Sequence, residues 1–344
     1  MKLRVGIIGA GRMGKFHLDF LEKMEEAEIV AICDIRKNCA EDLAHRVKAR
    51  VYTNYQKMYD EEELDCVFIC TPAHARERQL EEAAIRGIHI FVEKPAALTL
   101  QQGEKTYKVI EKSGVICSVG FLWRYSEGVE KVRNFLKDKK VALIDARWYH
   151  TIPPVAWVRS KEKGGGQIVD QSIHLIDLMR YLVGEIQEVY GKATRGLFPE
   201  ISDFTADDAS AVTLTFKDKT VANLSSTYSL FSGAPLGPEI NIIGKRMLVK
   251  INSDKVEVYT PYEEEFKFDE KAHLAHMMKS PKANIEQFDI QLTNAAMKED
   301  EIFLKAVISN NSSIIRCDFS DALETLKVAL AIERSIHLGK PVSL

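Results

Sequence analysis

The chain of 344 residues has little cysteine, no strong excess of either charge and no long apolar segment. Its six cysteines include no C-x-x-C pair, so we expect buried thiols in a reducing, cytoplasmic setting. With 47 basic and 50 acidic residues, the net charge of −3 gives no signal for nucleic acid or an anionic membrane. Apolar runs such as 66–70 and 88–92 are too short to span a bilayer, and the glycine-rich start is unlike a secretory signal. Neither nucleic acid nor a membrane is therefore an expected partner.

The overall composition is that of an ordinary globular protein. The composition is 46% hydrophobic and 28% charged, which excludes a largely disordered or collagen-like chain. The length is sufficient for two domains, each with its own core.

The first 120 residues alternate short apolar runs with amphipathic helical patterns. The runs are rich in Val, Ile, Phe and Cys and show little alternation, as expected of strands buried on both faces. Helices are predicted between them, including 74–86 and 99–113. The predicted strands are Leu3–Ile8, Glu28–Asp34, Asp65–Thr71, His89–Val92 and Val115–Val119. This alternation predicts a doubly wound parallel sheet with helices on both faces.

The pattern changes after residue 121. Helices are predicted at about 126–138 and 168–183, and consecutive strands at Val141–His150, Ala209–Phe216 and Thr220–Ser229, the last two joined by a turn at 217–219. Strands joined by short turns favour a large, mostly antiparallel open sheet. Residues 262–286 are interpreted as a loop or mobile segment. A last helix at about 321–338, starting near Asp321 with Glu324 in a capping-box position, is placed where it can pack back on the first domain.

These patterns predict an α/β protein with two domains. Residues 1–122 are expected to form a nucleotide-binding domain with a doubly wound parallel sheet. Residues 123–344 are expected to form an α/β domain for substrate binding and oligomerisation.

Segment 9–14 reads G-A-G-R-M-G, follows a predicted strand, opens a predicted helix and lies 20 residues before Asp34. In that context it is a dinucleotide fingerprint and predicts a Rossmann domain. The glycines allow a tight turn, close approach of a diphosphate and close helix packing, while the helix N-terminus attracts the phosphates. The expected contacts on this segment are Gly9, Gly11, Arg12, Met13 and Gly14.

The preference for NAD or NADP depends on the side chains at the end of the second predicted strand. Asp34 would accept hydrogen bonds from the ribose hydroxyls and repel a 2′-phosphate, which favours NAD. Arg36 could accommodate that phosphate, so NADP is the alternative. We expect NAD as the cofactor.

Two further segments follow predicted strands and should border the same cleft, because ligands of open α/β sheets lie at the carboxyl ends of the strands. The first contains Thr71, Pro72 and His74, and the second contains Glu93 and Lys94. All five are predicted to contact the cofactor. Lys94 is the more informative residue. Pro95 restrains its backbone to an extended conformation, and this is a costly arrangement for a lysine that only places a charge at the surface.

The segment G-G-G-Q-I-V-D-Q-S-I-H-L-I-D spans 164–177. On a helix, Asp170, His174 and Asp177 would lie on one face. Two carboxylates and an imidazole in a row suggest a site. No metal is expected, because three ligands on one helix face rarely converge on one ion.

In this order, the motifs resemble those of the Gfo/Idh/MocA family, named for glucose–fructose oxidoreductase and inositol dehydrogenase. The resemblance covers essentially the whole chain. The motifs are GAGRMG at 9–14, CTP at 70–72, EKP at 93–95, GFLWRY at 120–125 and GGGxxxDxxxHxxD at 164–177. The resemblance implies a Rossmann domain followed by an α/β domain whose open sheet often joins subunits. It therefore implies a homo-oligomer, a dimer or tetramer, formed through the C-terminal sheet.

The resemblance also implies that Lys94, Asp170 and His174 are the catalytic residues. Substrate contacts are predicted for Arg124, Trp157, Asp170 and His174. Many relatives carry a histidine where this chain has Arg76, whereas His74 is the nearby imidazole here, so either side chain could border the nicotinamide.

The expected reaction is reversible oxidation of a secondary alcohol on a sugar, cyclitol or related polyol. His174 would take the hydroxyl proton, and Lys94 would stabilise charge on the same oxygen. Asp170 would bind a neighbouring hydroxyl or orient Lys94. The alternatives are an NAD-dependent glycoside hydrolase of the same family and a cofactor-sensing binding protein without turnover.

Overall fold

The computed structural model describes residues 2–262 and 283–344. Its first sheet is parallel and has six strands. They are β1 (Leu3–Ile8), β2 (Ala27–Cys33), β3 (Arg50–Tyr52), β4 (Cys66–Ile69), β5 (His89–Val92) and β6 (Cys117–Val119). Their order is β3-β2-β1-β4-β5-β6, which is the doubly wound arrangement that the sequence predicted.

Helices cover both faces of this sheet. They are α1 (Arg12–Leu21), α2 (Lys37–Val47), α3 (Tyr55–Glu61), α4 (Gln79–Ile85) and α5 (Leu100–Ser113), with a short 3₁₀ turn at Ala73–Ala75. The segment predicted as one helix at 74–86 is therefore a 3₁₀ turn followed by α4. Strands β1 and β4 are almost fully buried, which explains their continuous apolar sequence.

The second sheet contains nine strands within the described residues. They are β7 (Val141–Tyr149), β8 (Ile186–Thr194), β9 (Ala209–Phe216), β10 (Val221–Thr227), β11 (Glu239–Gly244), β12 (Met247–Asn252), β13 (Lys255–Pro261), β14 (Ala283–Asp289) and β15 (Val342–Ser343). The order is β14-β13-β12-β11-β7-β10-β9-β8-β15, and only the β7–β10 pair is parallel. The mostly antiparallel sheet is thus confirmed.

The remaining helices in the described part of the chain follow residue 121. They are α6 (Glu127–Leu136), α7 (Ala156–Arg159), α8 (Lys161–Gly164), α9 (Ile173–Leu182), α10 (Leu292–Ser309) and α11 (Phe319–Leu338), with 3₁₀ turns at Leu122–Tyr125 and Ser312–Ile314. A π-helical turn at Ile168–Ser172 immediately precedes α9. No helix in the described ranges is long and apolar enough to cross a membrane.

The predicted turn at 217–219 forms a β9–β10 hairpin. The backbone N–H of Phe216 donates to the carbonyl of Thr220 at 2.8 Å, and Lys219 takes a positive φ of 78°. Both strands alternate buried and more exposed residues, so residues 2–262 and 283–344 leave one face of these strands open.

Helix α10 returns from the second half of the chain to the first sheet. Its Phe303 packs edge-on against Phe68 of β4 and Phe91 of β5, with ring centroids 5.4 and 5.8 Å away. This helix was not predicted from the sequence. The helix layer of the first sheet is therefore completed by residues remote in sequence.

Helix α11 begins two residues earlier than predicted. The Asp318 carboxylate accepts a hydrogen bond from the Asp321 N–H at 2.8 Å, so Asp318 is the N-cap and the proposed capping box at Asp321 and Glu324 is wrong. Its C-cap is Gly339 at φ 67°, where the sequence predicted the end. A Cβ on Gly103 of α5 would lie 2.4 Å from Leu323, so α5 and α11 are in close contact.

Part of the loop prediction at 262–286 lies outside the described residues, which exclude 263–282. For 283–286 the prediction is wrong, because these residues belong to β14 and pair with β13. Strand β14 is exposed along almost its whole length, so it lacks the apolar alternation by which a half-buried strand is recognised.

Candidate active site

A cleft of about 970 Å³ lies where the carboxyl ends of β1, β2, β4 and β5 face β7 and the π-helical turn. Every predicted site residue except Gly14 and Arg124 lines it. Those lining it are Gly9, Gly11, Arg12, Met13, Asp34, Arg36, Thr71, Pro72, His74, Glu93, Lys94, Trp157, Asp170 and His174. Residues from both halves of the chain thus share one cavity.

The glycine turn between β1 and α1 fits a dinucleotide. Gly9 has a φ of 93°, and a Cβ there would lie 2.9 Å from the Cys70 backbone. A Cβ on Gly11 would instead meet nothing nearer than 4.0 Å, so this position leaves open space at the start of α1. Gly11 is also the N-cap and supplies no side-chain cap, which leaves the first helical N–H groups for a phosphate.

Gly14 acts behind this turn and not in the cleft. A Cβ at this position would lie 2.0 Å from the carbonyl oxygen of Gly9. The prediction that Gly14 contacts the cofactor directly is therefore corrected. Its role is to let α1 pack closely against the turn.

Asp34 is held rigidly at the end of β2. One carboxylate oxygen accepts from the Ala10 N–H at 2.9 Å, and the other accepts from the Arg36 N–H at 2.8 Å. The Arg36 Nε lies 3.3 Å from Asp34, and its side chain is largely exposed. These bonds connect Asp34 and Arg36 to the glycine turn.

Lys94 and Asp170 meet across the cleft. The Lys94 ammonium donates to the backbone carbonyl of Asp170 and lies 3.5 Å from its Oδ1. Lys94 directly follows β5, and its peptide bond to Pro95 is cis. Asp170 lies in the π-helical turn, a deviation from α-helix that is frequent at functional sites.

His174 lies in the first turn of α9 between aromatic rings. Its imidazole stacks on Trp148 at 5.5 Å and 18°, and Phe121 contacts it edge-on at 6.0 Å. Within the described ranges, its buried Nδ1 has no hydrogen-bond partner. Burial, followed by the charge of Lys94, lowers the pKa of His174 well below its ordinary value, so the imidazole is neutral at pH 7.

His74 and Arg76, the two candidates for the side chain beside the nicotinamide, lie in different places in the structure. His74 lines the cleft and packs against Trp157, with ring centroids 5.8 Å apart. Arg76 is buried behind the loop, where it donates to the backbone carbonyls of Thr71, Glu93, Pro95 and Ala96. Burial lowers the pKa of Arg76 to about 10. Arg76 therefore holds the loops after β4 and β5 together, and His74 is the residue that faces the cavity.

Arg124 and Asp177 do not reach the cleft. Arg124 donates to both carboxylate oxygens of Asp177, at 2.6 and 2.9 Å, and also pairs with Asp321. The prediction that Arg124 contacts substrate is therefore wrong, because its guanidinium is occupied in a buried ion pair. Asp177 likewise does not share the surface that Asp170 and His174 present to the cavity.

The loop carrying Trp157 is anchored by ion pairs. Arg159 binds Asp203 through two contacts, at 2.5 and 3.0 Å. Lys161 bridges Asp207 and Glu333, with 2.5 Å to each. These bonds hold Trp157 as one wall of the cleft.

Sequence reasoning missed a buried histidine behind the glycine turn. Nδ1 of His17 lies 2.9 Å from both carboxylate oxygens of Asp300, and its Nε2 lies 3.1 Å from Oε1 of Glu93. His17 is eight residues after Gly9 on α1, but its partner Asp300 is 283 residues further along the chain. Only the histidine's position on the helix after the fingerprint could have drawn attention to it.

No group of three His, Cys, Asp or Glu in the described part of the chain is arranged to hold a metal ion. All six cysteines are free thiols, four of them buried. The chemistry available in the cleft is that of an ammonium, a carboxylate and a neutral imidazole beside a dinucleotide cradle.

Two family models match the chain. Residues 3–121 match the GFO_IDH_MocA model, described as "Oxidoreductase family, NAD-binding Rossmann fold". Residues 139–344 match the model described as "Oxidoreductase family, C-terminal alpha/beta domain".

Curated relatives and solved structures agree with these matches. "Uncharacterized oxidoreductase YrbE" of Bacillus subtilis (strain 168) is 26% identical over 98% of this chain and 96% of its own length. "Inositol 2-dehydrogenase/D-chiro-inositol 3-dehydrogenase" of Lacticaseibacillus casei is 32% identical over 64% of each chain. The structure of myo-inositol 2-dehydrogenase from Lactobacillus plantarum shares the fold, with a TM-score of 0.81 and 22% identity over 100% of both chains. The chain therefore belongs to the Gfo/Idh/MocA family of oxidoreductases, with an NAD-binding Rossmann domain and a C-terminal α/β domain.

Proposed function

We propose that the protein is an NAD-dependent dehydrogenase that oxidises a secondary alcohol of a cyclitol, sugar or related polyol. The observation that carries this proposal is the meeting of Lys94, Asp170 and His174 in the cleft that the glycine turn also lines. Relatives named as inositol dehydrogenases support the substrate class.

Each side chain has a distinct role in the proposal. Bound NAD would supply the hydride acceptor. His174, neutral at pH 7, would accept the proton of the reacting hydroxyl. Lys94 would donate a hydrogen bond to the same oxygen and stabilise the negative charge that develops there. Asp170 would hold the Lys94 ammonium in place through the contacts described above.

We favour NAD over NADP. Asp34 presents a carboxylate fixed by two backbone N–H groups, and a 2′-phosphate placed near it would be repelled. Arg36 is already ion-paired with Asp34, which reduces its capacity to attract that phosphate.

We also propose a cytoplasmic homo-oligomer. The six unpaired thiols favour a reducing compartment. The uncovered face of the second sheet carries Tyr190, Ala211, Thr213 and Ser225 around a shallow depression of about 230 Å³, and this mixed surface could pair with a second copy. Light scattering on wild type and a Thr213→Arg variant would test this, since a charge at the centre of such an interface should lower the molecular mass.

Absorbance at 340 nm tests the activity directly. Purified protein with NAD should form NADH with at least one member of a panel of cyclitols, sugars and sugar acids. The same panel with NADP measures the cofactor preference. If glycosides are cleaved while no NADH accumulates, the protein is an NAD-dependent glycoside hydrolase instead. Cofactor binding without turnover of any compound would favour the sensing protein.

A further inference from the structure

His17 connects three elements behind the cleft. It lies on α1, and its two ring nitrogens contact Asp300 of α10 and Glu93, the residue directly after β5. His17 and Asp300 are almost completely buried, and Glu93 is buried except where it lines the cleft. Glu299 is also buried in this cluster.

The geometry fits a doubly protonated imidazole. Each ring nitrogen faces a carboxylate oxygen, and in the imidazolium each N–H donates a hydrogen bond to that oxygen. Burial alone would lower the pKa of His17, but the charge of Asp300 and the bonds from Asp300 and Glu93 raise it well above its ordinary value. Burial and the nearby carboxylates Asp300 and Glu93 raise the pKa of Glu299 well above its ordinary value.

A buried cluster of ion pairs is in general weak evidence for a role in stability. Taking an imidazolium and two carboxylates out of water is costly, and apolar side chains of similar volume often stabilise a core equally well. The surroundings of His17 would suit such a replacement, since Phe16, Phe68 and Phe91 lie within 4.9–5.9 Å of its ring.

The position of the cluster suggests what the charges do. Glu93 precedes Lys94, and its carboxylate packs against Gly120, where a Cβ would lie 3.3 Å away. Helix α1 begins at the glycine turn that fits the dinucleotide. A bond from His17 to Glu93 therefore connects the cofactor-binding helix with the loop that carries the lysine.

We propose that His17, held by Asp300, is a positioning residue that fixes Glu93 and thereby the Lys94 ammonium relative to the dinucleotide turn. This inference rests on the proposed function. His17 itself does not line the cleft, so its effect on the reaction passes through Glu93 and Lys94.

Two variants test the proposal. His17→Gln is close in size, but both of its N–H donors lie on one nitrogen and its other terminal atom is an acceptor. It therefore cannot reproduce the two imidazole bonds that point to Asp300 and to Glu93. The double variant His17→Phe/Asp300→Leu replaces the buried ion pair with apolar groups that suit the surrounding rings. Thr106→Val is the control, because it removes another buried hydrogen bond, to Glu81, that has no contact with the cleft.

The first measurement needs no turnover. Trace labelling of the NAD-loaded protein with acetic anhydride, followed by peptide mass spectrometry, reports how freely the Lys94 amine moves away from Asp170. We expect labelling of Lys94 to rise about threefold or more in both variants and not in Thr106→Val. Unchanged labelling in a folded variant would overturn the proposal, even if no polyol proves to be a substrate.

The second measurement uses the substrate. Both variants should lose about 10- to 100-fold in kcat, as expected for a displaced reacting group, while the Kd for NAD changes little. The primary deuterium isotope effect on kcat should rise, since the chemical step becomes slower. A loss of folded protein alone would lower kcat and leave the isotope effect unchanged, which would argue against positioning. If the double variant does not fold, His17→Gln decides the outcome.

Discussion

The Lys94 ammonium donates to the backbone carbonyl of Asp170 and lies 3.5 Å from the carboxylate Oδ1 of the same residue. The two residues are 76 positions apart, one after β5 and the other in the π-helical turn before α9. This contact joins the two halves of the chain across the cleft. Because His174 lies four residues after Asp170, the same contact also fixes the lysine relative to the imidazole.

An Asp170→Asn variant separates the charge of this residue from its shape. The amide keeps the backbone contact to Lys94 but removes the anionic partner. We expect kcat/KM for the polyol to fall about 10- to 100-fold, with little change in the Kd for NAD, because the ammonium is then less well placed. Steady-state kinetics measure kcat/KM, and titration with NAD followed by fluorescence measures the Kd. Equal loss of NAD binding and turnover would show that Asp170 acts on the cofactor instead.

The pH dependence of kcat/KM reports on His174. Burial lowers its pKa below the ordinary 6.5, so the imidazole stays neutral as pH falls and gains a proton only at a lower pH. The acid limb of the wild-type profile should therefore lie below pH 6.5. In His174→Ala this limb should vanish and the remaining rate should be low throughout. An identical acid limb in the variant would assign the base to another group.

Cofactor choice should depend on Asp34. In Asp34→Ser, the ratio of kcat/KM for NAD to that for NADP should fall about 10- to 100-fold, because the carboxylate that repels a 2′-phosphate is removed. Arg36→Ala is the matched comparison and should not favour NADP. Parallel assays with both cofactors measure the ratio. A ratio unaffected by the serine would show that preference is set elsewhere in the cleft.

Arg76 should matter for stability and for the shape of the site. In Arg76→Met, the backbone carbonyls of Thr71, Glu93 and Pro95 lose the hydrogen bonds that Arg76 donates to them. The free energy of unfolding should fall by about 1–3 kcal/mol in urea denaturation. Turnover should fall as well, since the loop of Lys94 is released. Arg78→Met, at an exposed neighbouring position, is the control and should leave both quantities near the wild-type values.

Much of the fold could be predicted because its signals are local. Leu3–Ile8, His89–Val92 and Ala209–Phe216 are strands at the predicted boundaries, since their apolar patterns are set within a few residues. The cleft residues were also predictable, because the carboxyl ends of parallel strands gather at one edge whatever the details of packing.

The predictions that were wrong or missing concern residues whose contact partners are far away in sequence, or a helix whose period is interrupted. Arg124 pairs with Asp177, 53 residues later, and no local pattern marks either one as an ion-pair partner. Asp177 was assigned to the face of Asp170 on a uniform α-helical period, but the π-helical turn at Ile168–Ser172 changes the rotation per residue before α9 begins. Helix α10 was missed because its burial depends on Phe68 and Phe91 in a sheet more than 200 residues earlier.

The proposed reaction depends on the ammonium of Lys94, which is expected to take part in the chemistry at the cleft. The decisive measurement is stopped-flow absorbance at 340 nm on the Lys94→Ala variant, saturated with NAD and mixed with a polyol that wild type oxidises. Lys105→Ala, on the exposed face of α5, is the control. We predict that NADH formation slows about 10²- to 10⁴-fold in Lys94→Ala while NAD still binds. NADH formation at the wild-type rate in that variant would show that the Lys94 ammonium takes no part in the reaction.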